Sequence, residues 1–498
     1  MHRNRSNVLA LAAVAVAIQG CHEQTLPTES ASSGPALAAL VAAPQSASRH
    51  LVVFTAERVP ADFQARVSTL GGSVEISLDS IGVATAIGLT PTTAAELAAA
   101  PDIQALEPDQ VVTLGVGPVE APDVSTELTA NETLAPADAT ASPTSAPFYP
   151  EQWSLRAVFA PEAWAAGHLG SRGVVVALLD SGIDYLQPDL LGLVDLDHSR
   201  SFSPEEDPIV AERFPGRLPI SDIFFHGTTT AGIIASNATI VAGVNRYVTF
   251  LAIKVFNRFG EGSLSQVIGG IVYAADQGAD VINASLSAAF DKHKNPGIVV
   301  ASNRAANYAF RKGALLVSIT GNDGIDLDHN GDTVLLPCEA PHVICVSGTA
   351  PSGAAGATGP WENVDAPAPY TGFGRSAVDV AAPAGQTGVV RPIPATEYRT
   401  VWALCTTTTT ETSPGRCRFG QRFPDQRGLP VYKSFGTSIS GAFVSGLAAL
   451  LVAQLGHGNP ALIRERIIQS ADDLGQPGTD PYYGKGRINI ARALGVVP

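Results

Sequence analysis

The chain has 498 residues, of which 45% are hydrophobic and 15% charged, so it is long enough for two or three folding units with a sizeable core. Its formal net charge of −15 argues against nucleic acid or an anionic membrane surface as the main partner. With 48 glycines and 36 prolines, the composition is that of a loop-rich globular protein and excludes a coiled coil.

The first 48 residues predict export from a bacterial cell, followed by a tether. Two arginines and a histidine precede the apolar run Val8 to Ile18, which is too short to span a bilayer and is typical of a secretory signal (residues 1–20). Gly20 before Cys21 resembles a lipoprotein processing site, with Cys21 carrying the lipid that would anchor the protein to a membrane. Plain secretion is the alternative, because Gln19 is unusual at such a site. Residues 21–48 are rich in Ser, Ala, Pro and Thr and are predicted to be a flexible tether.

Residues 49–113 predict a small α+β unit. Helices are expected over Pro60–Leu70 and Thr92–Ala100, and strands from His50, over Gly82–Leu89 and over Ile103–Val112. This β-α-β-α-β order is typical of small ferredoxin-like domains. Residues 114–147, rich in Ala, Pro, Thr and acids, are predicted to be a disordered linker.

Residues 148–498 alternate short apolar runs with helical stretches. The runs are rich in β-branched residues, like strands buried on both faces: Val174–Leu179, Tyr247–Phe256, Val281–Leu286, Ala314–Thr320 and Val343–Val346. Helices are predicted over Leu264–Gln277, Pro296–Arg311 and Pro460–Ala471. The fold class is therefore α/β, a mostly parallel sheet with helices on both faces. In such sheets, sites form at the carboxyl ends of the strands.

Three chemically versatile side chains stand at the ends of such segments. Asp180 ends an apolar strand, His226 opens a small-residue helix, and Ser438 follows Gly436-Thr437 just before the apolar stretch Phe443–Leu451. A serine at a helix start, a histidine as its base and a carboxylate that orients the histidine form a nucleophilic triad. Taken singly, Ser438 and Asp180 are better explained as helix caps and His226 as an exposed loop residue.

In the order Asp, His, Ser, these segments resemble the subtilisin-like serine peptidases, or subtilases. A fourth segment, Leu315 to Asn322, is a buried strand ending in Gly-Asn, where the family keeps its oxyanion-hole amide. The resemblance implies an endopeptidase that acts on polypeptides without a catalytic cofactor. Asp180, His226 and Ser438 would be its triad, and Asn322 and the Ser438 N–H its oxyanion donors. The implied substrate-binding residues are Ser285, Leu286, Ser287, Thr320 and Gly321.

The resemblance extends to the N-terminal unit. Residues 49–113 resemble the inhibitor-type propeptide of many subtilases, which implies a zymogen inhibited by its own propeptide. No Lys or Arg lies between Val67 and Leu155, so a convertase specific for basic residues has no site there. Self-cleavage after a neutral residue is therefore the expected route of maturation.

Two other classes of function remain open. A catalytically silent binding protein could share this fold, although all four catalytic positions are filled. A serine esterase would be expected to carry a G-x-S-x-G elbow, which is missing around Ser438. Ser287 stands where the family has a glycine in the strand that pairs with substrate, so the substrate preference is open.

The remaining candidates concern structural sites. Cysteines 338, 345, 405 and 417 predict the disulfides Cys338–Cys345 and Cys405–Cys417, with a metal site as the weaker alternative. Alternating oxygen side chains resemble the start of a structural calcium loop, although its closing glutamate is replaced by Pro337; these residues are Asp326, Asp328, Asn330 and Asp332. An acidic, solvated turn fits that segment equally well. The insertion Gly385–Lys433 holds seven Lys or Arg against three acids and is predicted to be a solvated loop, or else a rim of the cleft.

Overall fold

The structure is a computed structural model that describes residues 49–114, 142–386, 398–408 and 431–498. The predicted signal and tether with Cys21, most of the predicted linker, and Cys417 lie outside these ranges. Residues 142–147 of the predicted linker are described, and they bury the side chain of Ala146.

The N-terminal unit is a four-stranded antiparallel sheet with two helices. Its elements are β1 (Arg49–Phe54), α1 (Phe63–Thr69), β2 (Ser73–Leu78), β3 (Val83–Ile87), α2 (Pro91–Ala98) and β4 (Ile103–Pro108). The strand order is β2-β3-β1-β4. The small α+β unit is thus confirmed, but the predicted element order was wrong, because it left out β2. That strand alternates half-buried Val74, Ile76 and Leu78 with exposed neighbours, which is the pattern of an edge strand.

The chain continues through β5 (Val111–Thr113), two 3₁₀ turns and two short helices, α3 (Trp153–Ala157) and α4 (Ala160–Ala165). The following elements are β6 (Gly170–Asp180), β7 (Arg200–Ser201), α5 (Asp207–Arg213), α6 (His226–Ile234), β8 (Tyr247–Lys254), β9 (Glu261–Ser263), α7 (Leu264–Asp276), β10 (Val281–Asn283), β11 (Ala288–Asp291), α8 (Pro296–Arg311), β12 (Leu315–Ile319), β13 (Thr333–Leu336) and β14 (Ile344–Ala350). The chain ends with β15 (Gly353–Ala354), β16 (Trp361–Glu362), β17 (Ala366–Pro367), β18 (Val380–Pro383), β19 (Val401–Leu404), β20 (Val431–Ser434), α9 (Thr437–Leu455), α10 (Pro460–Gln469) and α11 (Ile490–Ala493).

The central sheet has the order β17-β14-β12-β10-β6-β8-β7, with β18 also paired to β14. All pairs are parallel except β14 with β17. The mostly parallel α/β sheet that the apolar runs predict is therefore confirmed. Because β6, β10 and β12 are neighbours, their carboxyl ends meet at one edge, and Asp180, Asn283 and Ile319 are the last residues of these strands.

Helix α9 is the core helix of this unit. It is apolar all round, and 15 of its 19 residues are buried, as expected of a helix enclosed by other elements. Among the described residues it is also the one helix long and apolar enough to cross a membrane, but 78% of the apolar window is buried inside the protein. Its composition is therefore explained by packing against the sheet.

Two of the short strand pairs outside the central sheet connect distant parts of the chain. β5 pairs antiparallel with β9, and the Leu114 N–H donates to the Gly260 carbonyl at 2.8 Å. β19 pairs antiparallel with β20 and is buried at every position. The described part of the insertion therefore contradicts the predicted solvated loop, because its base is a packed hairpin.

Candidate active site

His226 and Asp180 form a buried pair. Asp180 ends β6, and His226 is the first residue of α6, so strand and helix bring the two side chains together. The Nδ1 of His226 lies 2.8 Å from each carboxylate oxygen of Asp180. The exposed fractions are 0% for Asp180 and 6% for His226, so little water competes for this contact. The geometry contradicts the alternative of an exposed loop histidine.

The Asp180 carboxylate is held from two further sides. The Ser181 N–H donates to Oδ1 at 2.7 Å, and the Thr230 hydroxyl lies 3.2 Å from Oδ2. Thr230 is one helical turn after His226 and therefore faces the same side of α6. These contacts fix the carboxylate plane against the imidazole.

Asp222 organises the start of α6 and was missed by the sequence analysis. One of its oxygens accepts from the N–H groups of Phe224 and Phe225 and from the Ser181 hydroxyl, at 2.9–3.0 Å. The other accepts from the N–H and hydroxyl of Thr228, at 2.9 and 2.6 Å. Burial raises the pKa of Asp222 to about 6, against the opposing effect of these hydrogen bonds. An acid a few residues before a helix is a capping signal, which could have identified this residue.

The residue before His226 has unusual backbone geometry. Phe225 has a φ of 146°, a region that side chains other than glycine rarely adopt. Its ring stacks on Phe224 at 4.5 Å and meets the edge of Tyr432 at 5.9 Å. Ring packing and the hydrogen bond from its N–H to Asp222 together hold this strained residue. Because Phe225 directly precedes His226, the same contacts help to fix the position of His226.

Ser438 lies in the first turn of α9, next to the end of β10. Its hydroxyl donates to the Ser285 carbonyl at 3.3 Å, and the Ser285 hydroxyl donates to the Ser438 carbonyl at 2.9 Å. In the described part of the chain, the Ser438 hydroxyl makes no hydrogen bond to His226.

Asn322 is anchored to the residue before Ser438. Its side-chain oxygen accepts from the Thr437 N–H at 2.8 Å and from the Thr437 hydroxyl at 3.0 Å. The amide nitrogen therefore points away from Thr437. Gly436 lies alongside with a φ of 138°, and a Cβ there would stand 3.6 Å from that nitrogen. A Cβ at this distance would be in ordinary van der Waals contact with the amide, so it is the positive φ that favours glycine at position 436.

The predicted substrate-binding residues form two adjacent segments after β10 and β12. The Leu286 carbonyl accepts from the Ser318 hydroxyl at 2.9 Å, and Thr320 faces Thr371 at 3.1 Å. A Cβ on Gly321 would lie 3.1 Å from the Ser287 hydroxyl. The extra side chain of Ser287 therefore occupies space directly against Gly321, between the two segments.

The predicted calcium segment makes protein contacts instead. Asp328 accepts from the N–H groups of Arg375 and Ser376 and from the Ser376 hydroxyl, and Asp326 pairs with His329 at 2.9 Å. No group of three or more His, Cys, Asp or Glu that could hold a metal occurs among the described residues. The calcium loop and the acidic turn therefore both stay predictions for this segment.

One predicted disulfide lies wholly within the described residues. Cys338 and Cys345 are bonded, with their Cα atoms 4.8 Å apart, which confirms this pairing. Cys405 is also in a disulfide, and Cys417, its predicted partner, lies outside the described residues.

Comparison with known proteins places the chain in a family. A sequence profile of the Subtilase family matches residues 171–486, well over half of the chain. The thermophilic serine proteinase of Bacillus sp. strain AK1 is 32% identical over 328 residues, which cover 65% of this chain and 62% of that protein. Thermitase of Thermoactinomyces vulgaris is 29% identical over 351 residues, 70% of this chain and 97% of thermitase.

The solved structures agree on the fold. The epidermin leader peptide processing serine protease (EpiP) of Staphylococcus aureus matches with a TM-score of 0.66 and 20% identity, over 91% of this chain and 99% of that one. Its match therefore includes most of the residues N-terminal to the family profile. The chain belongs to the subtilase family of serine peptidases.

Proposed function

We propose that this protein is an exported serine endopeptidase that hydrolyses polypeptides through Asp180, His226 and Ser438. The observation that carries the proposal is the buried contact of 2.8 Å between the His226 Nδ1 and both oxygens of Asp180. This contact places the proton of the neutral imidazole on Nδ1 and leaves Nε2 as the base. Asp180 then stabilises the imidazolium that forms when Nε2 takes a proton.

The proposed catalytic cycle is that of a serine triad. Ser438 Oγ attacks the peptide carbonyl carbon while its proton passes to His226 Nε2, which gives a tetrahedral intermediate. The Asn322 amide and the Ser438 N–H donate to the oxyanion. His226 then protonates the leaving amine, the acyl-enzyme forms, and a water activated by His226 releases the acid. Ser285, Leu286, Ser287, Thr320 and Gly321 are proposed to bind the substrate backbone and side chain.

The N-terminal unit is proposed to act as an intramolecular inhibitor, released by self-cleavage. Its contacts with the rest of the chain support this. Glu107 accepts from the N–H groups of Gly297 and Ile298, at 2.6 and 3.2 Å, and so caps α8. Asp109 accepts from the N–H and hydroxyl of Ser265, at 3.2 and 2.5 Å, and so caps α7. Two carboxylates at the end of β4 thus accept hydrogen bonds from N–H groups in the first turns of two helices.

The course of the chain after these caps supports a cut beyond residue 114. β5 lies antiparallel to β9 and leaves the N-terminal unit in an extended conformation, as a bound peptide would. Leu114 continues this pairing by donating to Gly260. We therefore propose residues 49–113 as the prosegment and self-cleavage in the segment that follows Leu114.

Export is proposed from the N-terminal sequence and the disulfides. The apolar run Val8 to Ile18 and the Gly20-Cys21 pair are those of a processed secretory or lipoprotein signal. The Cys338–Cys345 bond agrees with an oxidising compartment. Labelling with palmitate would distinguish a membrane-anchored protein, lipidated at Cys21, from a secreted one.

The test compares the wild type with Ser438→Ala. We expect the wild type to react with a fluorophosphonate probe, to cleave casein much faster than a short-chain ester per titrated site, and to lose its prosegment. Ser438→Ala should show none of these activities and should retain the prosegment. A wild type that neither labels nor cleaves would be a silent binding protein, and one that labels but cleaves only the ester would be an esterase.

A further inference from the structure

The β19–β20 hairpin connects the segment of the proposed nucleophile to the helix of the proposed base. β20 ends at Ser434, and the chain passes directly through Gly436 and Thr437 to Ser438. The body of the hairpin packs on α6, the helix that begins with His226. Leu404 is completely buried there, and a Cβ on Gly232 would lie 2.5 Å from its Cδ1. The glycine therefore makes the room into which the hairpin fits.

A hydrogen-bond relay joins the hairpin to α6. The Thr229 hydroxyl donates to the Leu404 carbonyl at 2.9 Å, and the Tyr432 hydroxyl lies 2.9 Å from the same Thr229 oxygen. A threonine has one hydroxyl proton, and a carbonyl can only accept it, so Tyr432 is the donor to Thr229. Thr229 and Tyr432 are both buried. One threonine of α6 is thus held by both strands of the hairpin.

The residues after β19 bind two loops that flank the His226–Asp180 pair, one before α6 and one after β6. Thr406 and Thr408 each donate to the Asp222 carbonyl at 2.7 Å, just before α6. Thr407 donates to the Asp184 carboxylate from its N–H and hydroxyl, at 2.7 and 2.6 Å, just after Asp180. Arg217 donates to the same carboxylate at 2.6 Å.

We infer that the β19–β20 hairpin is a positioning element for the general base, with Thr229 and Tyr432 as its positioning residues. The inference rests on the proposed function. The hairpin is continuous with Ser438 along the chain and fixed to the His226 helix through Thr229, so it sets the separation of nucleophile and base. Proton transfer requires the serine oxygen and the histidine nitrogen to lie within hydrogen-bond distance of each other. A misplacement of these groups by about 1 Å can lower the rate by a factor of about 100.

The experiment uses Thr229→Val, which keeps the shape but removes both hydrogen bonds, and Tyr432→Phe, which removes one hydroxyl. We expect kcat per titrated site to fall about tenfold in Thr229→Val and less in Tyr432→Phe, with KM changed less than twofold. The rate of fluorophosphonate labelling should fall by the same factor as kcat, because labelling needs the base but not the peptide subsites. The double variant should be no slower than Thr229→Val, since both changes break one relay.

The matched control is Tyr308→Phe, which removes a hydroxyl that donates to Asp276 at 2.6 Å between α8 and α7. It should leave kcat and labelling unchanged. Wild-type kcat and labelling in Thr229→Val and Tyr432→Phe would overturn the inference, and so would a lowered unfolding temperature with unchanged kcat per titrated site. An active Ser438→Ala would instead refute the proposed function, whereas an inactive Ser438→Ala beside unaffected hairpin variants refutes only the positioning role.

Discussion

The Asn322 side chain takes its orientation from Thr437, the neighbour of Ser438, through two hydrogen bonds of 2.8 and 3.0 Å to its oxygen. The side-chain N–H groups of Asn322 are the proposed donors to the oxyanion. We expect Asn322→Ala to lower kcat by about two to three orders of magnitude with little change in KM, because the amide acts on the transition state. Steady-state kinetics on a peptide substrate measure this.

Thr437→Val is the matched control for that variant. It removes the hydroxyl contact but keeps the N–H contact, so the amide should stay oriented and kcat should fall less than tenfold. An Asn322→Ala enzyme with unchanged kcat would remove this residue from the oxyanion hole. Equal losses in both variants would mean that Asn322 acts by holding Thr437.

The caps on α7 and α8 predict how tightly the proposed prosegment, residues 49–113, stays bound after the proposed self-cleavage. Glu107→Ala leaves the Gly297 and Ile298 N–H groups without their carboxylate, which costs about 1 kcal/mol, a factor of about five in affinity. We expect activity to appear about fivefold sooner after self-cleavage in this variant. Exposed Glu96 lies on α2, and Glu96→Ala should behave like the wild type. An unchanged lag in Glu107→Ala would show that this cap does not hold the prosegment.

Asp189 predicts a pH dependence of stability. It is completely buried, and burial raises its pKa from 3.8 to about 6, although N–H groups of Thr239, Ile240 and Val241 oppose this. Between about pH 4 and pH 6 the folded protein therefore holds a proton that the unfolded chain has lost. Its contribution to the free energy of unfolding rises as the pH falls through this window, by up to about 3 kcal/mol, and is at its minimum above pH 6.

Urea unfolding at a series of pH values checks this in the Ser438→Ala background, which prevents self-digestion. The gap in stability between this protein and its Asp189→Asn derivative should widen as the pH falls from 6 to 4. The same substitution at exposed Asp79 is the matched control. A constant gap for Asp189→Asn would contradict the raised pKa.

Asp328 predicts a stabilising role that does not need calcium. Its carboxylate accepts three hydrogen bonds from Arg375 and Ser376, at 2.7–3.0 Å, and so ties two loops together. We expect Asp328→Ala to lower the free energy of unfolding by about 1–3 kcal/mol. The unfolding temperature should therefore fall by the same amount in millimolar calcium and in chelator. If calcium stabilised the wild type and this effect were lost in Asp328→Ala, the result would instead support a calcium site in this segment.

The sequence predicted the fold well because a mostly parallel sheet and the segments at its strand ends depend on local patterns. Buried parallel strands have continuous apolar runs, and Asp180 and Asn322 stand directly at or after the ends of two of them. The missing strand β2 carried a visible alternation, but its half-buried, mixed-polarity residues gave a weaker signal than the central strands. Asp222 and Ser181 could not be ranked above other acids and serines, since their importance comes from contacts across the chain.

The hairpin shows a different limit. Val401–Leu404 and Val431–Ser434 each have the composition of a short strand, but more than twenty-five residues rich in Thr, Arg and Pro separate them. No periodicity links two strands across such a distance, and the charge of the intervening segment favoured a solvated loop. Only the tertiary contacts with Thr229 and Gly232 show that the base is packed.

The pairing of β19 with β20 has an evolutionary consequence. Because the two strands are locked to each other and to α6, the ends of the segment between them are held at a fixed separation whatever its length. Doubling the length of a connecting segment costs only about 0.6 kcal/mol in closure entropy. Insertions and deletions between the two strands can therefore accumulate with little effect on the catalytic centre, so a family member can diversify there while its chemistry is conserved.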